Sequence, residues 1–316
     1  IKLSTEHFNT KLYTGNGATA QEISLDFNPD LVWVKSRSDS EHHSLVDRVR
    51  GDVAVNSNQN IAEYAVAAFD FNTNNTVDVP VYANDYSMNT NSDNYVMWHW
   101  KANGSGSANT DGTINTTSTS ANTTSGFSIS TYTGTGSNAT VGHGLGVAPL
   151  LIIVKNRSQA DKWAIYSSVT DETDYLQFDR DTTTQDDNTY WNDTAPTSSV
   201  FSIGTTHEVN ASSENYVAYC FAEKNGFSKI GSYTGNGSTN GPYIYTGFQP
   251  SFVIWKRTHE VGRWQILDVA RDTASAVGSA MTTGINWNST SQEYTGWLVD
   301  FYSNGFKLRT TAQQLN

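Results

Sequence analysis

Tyr13-Thr14-Gly15-Asn16-Gly17 returns as Tyr132-Thr133-Gly134-Thr135-Gly136 and again as Tyr233-Thr234-Gly235-Asn236-Gly237, and each time a proline follows 16 or 17 residues later and opens an apolar run. The chain of 316 residues therefore reads as three copies of one unit. A period of roughly a hundred residues points to an array of small domains and not to one active site. The register extends beyond the glycines. After Pro29, Pro149 and Pro250 come Leu31-Val32-Trp33-Val34, Leu151-Ile152-Ile153-Val154 and Phe252-Val253-Ile254-Trp255, with Lys35, Lys155 and Lys256 next and Arg37, Arg157 and Arg257 close behind. Eight residues past each lysine stands His43, Trp163 or Trp264, opening a second apolar segment.

These runs are short, rich in β-branched and aromatic residues, and bounded by Gly, Asn, Ser and Thr. That composition describes strands between tight turns. Alternation is plainest in Asn94-Tyr95-Val96-Met97-Trp98-His99-Trp100 and Asn215-Tyr216-Val217-Ala218-Tyr219-Cys220-Phe221, where one set of side chains can face a core and the other a second layer or a neighbour. The TGxG glycines suit positive φ in an opening hairpin or bulge. Residues 61–69 alone have a helical look. The fold class expected is all-β, with three tandem β-sandwich repeats, each long enough for its own core.

The net charge of −12 and a pI near 4.9 argue against a nucleic-acid partner, since phosphate contacts need clustered Lys and Arg. Only 16% of residues are charged, and polarity comes from Asn, Thr, Ser and Gly, a profile of extracellular or particle-surface β proteins. No run of 18 apolar residues offers membrane insertion. The chain opens at Ile1 and not at Met, so a processed N-terminus or a fragment is expected. The single cysteine, Cys220, allows no intrachain disulfide and reads as a small core residue.

Repeat one is placed at 1–102, a polar Gly/Ser/Thr/Asn linker at 103–125, repeat two at 126–224 and repeat three at 227–316. The linker reads as a loosely laid connector. Repeats two and three have almost no linker and are expected to sit rigidly together. Counting from the repeated tyrosine, a closing strand begins at Asn94 and Asn215 and should begin near Leu315 in repeat three. Repeat three thus lacks its closing strand, through truncation or because another chain supplies it by β-augmentation.

Few residues suggest chemistry. Glu172-Thr173-Asp174-Tyr175-Leu176-Gln177 approaches the E-x-D-x-x-E strand of lectin-like glucanases, but Gln177 cannot act as the second carboxyl group. Acidic residues cluster from Asp171 to Asp193, including Asp179, Asp181, Asp186 and Asp187. Oxygen ligands of this kind could hold Ca²⁺, yet the spacing matches no known calcium loop and reads as a solvated acidic segment. His42, His43, His99, His143, His207 and His259 show no metal-ligand spacing, and His143 falls in a turn. Trp33, Trp163, Trp255 and Trp264 occupy repeat-equivalent strand positions, which favours packing over sugar stacking. No catalytic, cofactor-binding or metal residue is expected, and no binding residue can be named.

The stretches 8–17, 27–37, 47–51, 141–146 and 216–223 together resemble a family of repeat-containing virion proteins of tailed bacteriophages, common among marine phages and described as tail-fibre or structural proteins. The resemblance covers nearly the whole chain and implies no catalytic residues. It implies a non-enzymatic virion protein of lectin-like, jelly-roll type sandwiches on a tail fibre, tail tip or capsid surface, acting in display and host-surface adhesion. Other virion proteins, further copies of the chain and a host-surface glycan are the partners it implies. The alternatives are a carbohydrate-binding, lectin-like module of a secreted or cell-surface protein and a glycan-cleaving enzyme.

Overall fold

The computed structural model describes residues 4–82, 88–272 and 280–316; Ile1 lies outside them. The fold is all-β. Its sheets are antiparallel, and the described residues form only two α-helices, Asn188–Trp191 and His207–Asn210, of four residues each.

The first segment builds a sheet in the order Phe8–Thr14 (opening strand), Asn94–Trp100 (closing strand), Leu31–Ser36 (lysine strand), Ser44–Asp47 (fourth strand), Val53–Val55 (fifth strand) and Tyr64–Ala65. The second segment repeats that order with Phe127–Thr133, Asn215–Phe221, Leu151–Asn156, Ala164–Ser167 and Asp174–Gln177. Register agrees position by position. Trp100 lies between Phe8 and Leu31, and Phe221 between Phe127 and Leu151. Across from each such sheet lies a smaller one: Ala20–Ser24 with Thr76–Pro80 and Asp70–Phe71, then Ala139–Gly142 with Val200–Ile203.

The alternation anticipated for the closing strands divides their side chains between two cores. Tyr95 and Met97, like Tyr216, Ala218 and Cys220, face the smaller sheet of their own segment. Val96 and Trp98, like Val217 and Tyr219, face the other way into a core shared by all three segments. Trp33, Trp163, Trp264, Trp287 and Phe178 meet there, with Trp264 and Trp287 stacked at 4.3 Å and Phe178 3.7 Å from Trp287. A main sheet buried on both faces explains why Leu31–Ser36 is buried at every residue and reads as a continuous apolar run.

The third segment departs from this plan. Its lysine strand Phe252–Trp255, fourth strand Gln265–Asp268 and fifth strand Ala280–Asn286 keep the register. The fifth strand continues through Tyr294–Tyr302 and Gly305–Leu308 to Tyr243–Tyr245. Main and smaller sheets are thereby joined into one of six strands.

Four expectations need correction. The TGxG turn is not a hairpin: it carries the chain from the main sheet to the smaller one. Its two glycines do different work. Gly134 allows close approach, since a Cβ there would stand 2.2 Å from the Ala211 carbonyl oxygen, whereas Gly136 supplies the positive φ of 72°. The 103–125 segment is not a loose connector. Ser118–Asn122 pairs with the second opening strand, and Ile114 packs in the second segment's core. Its hydroxyls are used internally, as where Thr119 Oγ1 and Ser130 Oγ share a hydrogen bond of 3.0 Å.

Residues 61–69 are not helical. Tyr64 and Ala65 extend the first sheet, Ala68 takes φ of 66°, and the Glu63 N–H donates to the Arg157 carbonyl; tertiary contacts override local propensity. Finally, Leu315 does not begin a closing strand. Its carbonyl accepts from Tyr233 Oη at 2.5 Å, as those of Met88 and Val209 accept from Tyr13 and Tyr132 at 2.7 Å. Leu315 thus occupies the Met88 and Val209 position, upstream of any closing strand. The count from tyrosine fails because the hairpin of Tyr294–Tyr302 and Gly305–Leu308 alters the length between the landmarks.

Candidate interaction site

The segments close on one another through a bond that recurs at equivalent positions. Trp163 Nε1 donates to the Asn56 carbonyl at 2.9 Å and Trp264 Nε1 to the Gln177 carbonyl at 2.9 Å, while His43 Nε2 lies 3.1 Å from the Asn286 carbonyl. His43 Nδ1 accepts from Trp33 Nε1 at 2.9 Å, so the ring is neutral with its proton on Nε2. Segment two thus donates to one, three to two and one to three: a closed cycle.

Salt bridges reinforce two junctions. Arg157 grips Glu63 through two bonds of 2.8 and 2.9 Å, and Arg37 grips Glu293 through bonds of 2.7 and 2.9 Å. The remaining junction uses the backbone, with Thr184 N–H donating to the Thr258 carbonyl at 2.9 Å. Arg257 instead pairs with Glu260 in its own loop.

The repeated lysines are structural knots. Lys155 Nζ reaches the carbonyls of Asn156 and Asp161 at 2.8 and 2.9 Å and that of Asn60 at 3.4 Å. Lys35 Nζ donates to the Ser36 carbonyl at 2.7 Å, and Lys256 Nζ to those of Gly262 and Asp181 at 2.7 and 3.2 Å. Burial pushes each ammonium down to about 8, but carbonyl acceptors require its protons. Beside Lys35, burial raises the Glu41 carboxyl to about 7. Burial also holds His43 well below its ordinary value, with the Lys35 charge adding to the effect.

Closing-strand residues also bond across segments. Tyr219 Oη donates to Asp47 Oδ2 at 2.8 Å, and Trp98 Nε1 donates to Asp268 Oδ2 at 2.9 Å. Each acceptor is held by its own arginine, Arg50 or Arg271, at 2.5 Å. The equivalent position in segment two is Ser167, opposite Leu151.

The carboxylates and histidines singled out in the sequence do not converge on one site, whereas Trp33, Trp163 and Trp264 meet in the shared core. The Gln177 backbone carbonyl lies in the ring-donor cycle at the position of Asn56 and Asn286. Asp187 caps the helix at 188–191, Asp179 accepts from Trp163 N–H at 3.1 Å, and Asp174 pairs with Asp186 across two strands. Among the described residues no three His, Cys, Asp or Glu side chains form a metal-holding group. His143 is a buried turn residue whose Nδ1 accepts from Leu145 N–H, whereas His207 and His259 are exposed. His42 contacts Asn58 at 2.8 Å, and His99 is buried against Phe27. Trp33, Trp163, Trp255 and Trp264 are all buried, as packing requires. The Cys220 thiol is fully buried and pushed up to about 12, so it is a core residue.

A cleft of about 1330 Å³ lies beside segment three, lined by Ile230, Tyr233, Phe252 and Ile254, with Ile165 and Ser167 of segment two behind them. Sequence reasoning gave no binding residue and so missed this cleft. Its signal is the edge of Phe252–Trp255, with which no strand pairs among the described residues. Reasoning from strands also missed the ring-donor cycle, although a ring N–H at 43, 163 and 264 was visible in the repeat.

A family model described as a domain of unknown function, DUF7483, matches residues 3–316. No curated protein and no solved structure matches the chain.

Proposed function

This chain belongs to the DUF7483 family, and on that premise we propose that it is a non-enzymatic surface protein of a tailed-phage virion, built of three lectin-like sandwich repeats that display binding surfaces to a host. The observation that carries this reading is the shared core. Each main sheet turns one face inward to the same aromatic cluster, so the smaller sheets and their loops lie on the outer side of each segment. Three related surfaces on one rigid body suit weak contacts multiplied by avidity. The ionisable groups buried between segments are engaged in holding the segments together, in keeping with a scaffold. The sparsely charged, Asn- and Thr-rich composition and the resemblance of 8–17, 27–37 and 216–223 to phage virion proteins support the particle setting.

The test pairs host-cell and glycan-array binding by the isolated chain with antibody labelling of intact particles. Labelling at fibre, tail tip or capsid together with saturable host-surface binding is the expected result. Sugar release from host polysaccharide, or absence of the chain from particles, would overturn the reading.

A further inference from the structure

We infer that the cleft beside segment three is a receptor for one β-strand of seven residues with this protein's own closing pattern: Asn-Tyr-Val, a small or flexible apolar residue, an aromatic, a variable residue and an aromatic. The template is internal. In segments one and two the closing strand fills the space between opening and lysine strands in identical register. In segment three, among the described residues, no strand pairs with the outer edge of Phe252–Trp255, and 229–242 carries no strand. Val32 and Ile152 are wholly buried, but their equivalent Val253 is only partly so. The cleft supplies the absent room.

The entrance is already set. Asn89 and Asn210 accept through Oδ1 from the N–H of Asn16 and Thr135 at 2.8 Å, and the closing strands begin five residues later, at Asn94 and Asn215. Asn316 holds the same place, accepting from Asn236 N–H at 2.6 Å, and it lies at the mouth of the cleft. An occupant entering there runs antiparallel to the lysine strand, the direction both existing closing strands take.

The walls specify its side chains. Tyr95 stacks on Tyr13 and Tyr216 on Tyr132, each at 5.1 Å, so the second residue is a tyrosine that stacks on Tyr233. The fifth residue points at segment two, continuing the cycle in which Tyr219 reaches Asp47 and Trp98 reaches Asp268. There it meets Ser167 and Val169 instead of an aspartate, which selects an aromatic that needs no acceptor, phenylalanine above tryptophan. The exposed ladder edge provides the backbone bonds, and the side-chain pockets provide specificity.

The experiment uses the chain of 316 residues and two arms. In the first, a tryptophan-free peptide, Asn-Tyr-Val-Ala-Phe-Ser-Phe flanked by lysines, is titrated while tryptophan fluorescence and melting temperature are followed. A peptide with proline in place of the valine is the control. In the second arm the same strand is fused after Asn316 through a four-residue spacer. The expected result is a saturable melting-temperature rise of roughly 5 °C for the peptide, a larger rise for the fusion, slower amide exchange at Phe252–Trp255 in both, and no effect of the proline peptide. Equal effects of both peptides, no change in amide exchange in either arm, or a dimer of the chain that already covers this edge would overturn the inference.

Discussion

Segments two and three share the TGxG turn, the lysine strand and the ring-donor tryptophan, yet among the described residues one lysine strand is paired on both edges and the other on one. Lys155 is fully buried, whereas Lys256 retains access to water. The difference separates two kinds of contact that the repeat superimposes. Bonds between segments, such as Trp163 to Asn56 and Trp264 to Gln177, are equally short in both. The protein's closed arrangement therefore rests on the shared core and its ring donors, while the closing strand completes an individual segment.

The largest expected effect lies in the shared core. Trp163→Ala empties a fully buried site and strands the Asn56 carbonyl, and should cost about 3–5 kcal/mol in chemical denaturation. Trp264→Ala, in the open segment, should cost less, because its surroundings can relax toward the cleft. Equal losses would break the comparison.

Tyr219→Phe removes a donor from the buried Asp47 and should lower stability by about 1.5–3 kcal/mol. Thr170→Ala, at segment two's counterpart of Arg50, should stay within about 0.5 kcal/mol.

A volume exchange sharpens the account further. Segment one pairs Trp33 with His43, where segments two and three pair Ile153 with Trp163 and Ile254 with Trp264: one large ring and one smaller side chain in every case. Trp33→Ile together with His43→Trp should be less destabilising than the two single changes summed, by about 1 kcal/mol or more. The same pair reports on pH. Burial holds His43 well below its ordinary value in the folded chain and lowers His99 to about 4. The unfolded chain then binds the extra protons first, so the stability due to the neutral rings is complete above about pH 6.5 and is lost on acidification toward about pH 4. Glu41, raised to about 7, acts in the opposite sense, contributing stability in acid that is lost as pH rises through 7. Because Glu41 is common to both proteins, the double variant should show a shallower acid loss by at most about 1.4 kcal/mol per pH unit.

The smallest effect is expected at the glycines of open space. Gly231→Ala meets no atom within 4 Å and should change stability by less than about 0.5 kcal/mol, whereas Gly134→Ala, driven against the Ala211 carbonyl, should cost about 1–3 kcal/mol.

Much of this was legible in the chain, and the reasons for the rest are physical. The repeat, the all-β class and the two-faced closing strands follow from spacing and alternation, which are local properties. The role of the inward face was not legible, because alternation gives Trp98 and Tyr219 a side without saying what lies opposite. The strand at Ser118–Asn122 was hidden by its composition: hydroxyls that bond to one another underground look in sequence like hydroxyls that bond to water. The cleft was half visible, in the expectation that repeat three lacks its closing strand, but its entrance depended on an Asn316 bond that no count of residues supplies.

Indole N–H exchange, resolved residue by residue by NMR in the intact chain, tests the closed cycle most directly. The indoles of Trp163 and Trp264 should exchange only through global unfolding, with matching opening free energies, because each N–H is held between two segments on the common core. Rapid exchange under native conditions, with the two indoles opening independently, would mean that the three segments are separate bodies and would contradict the account.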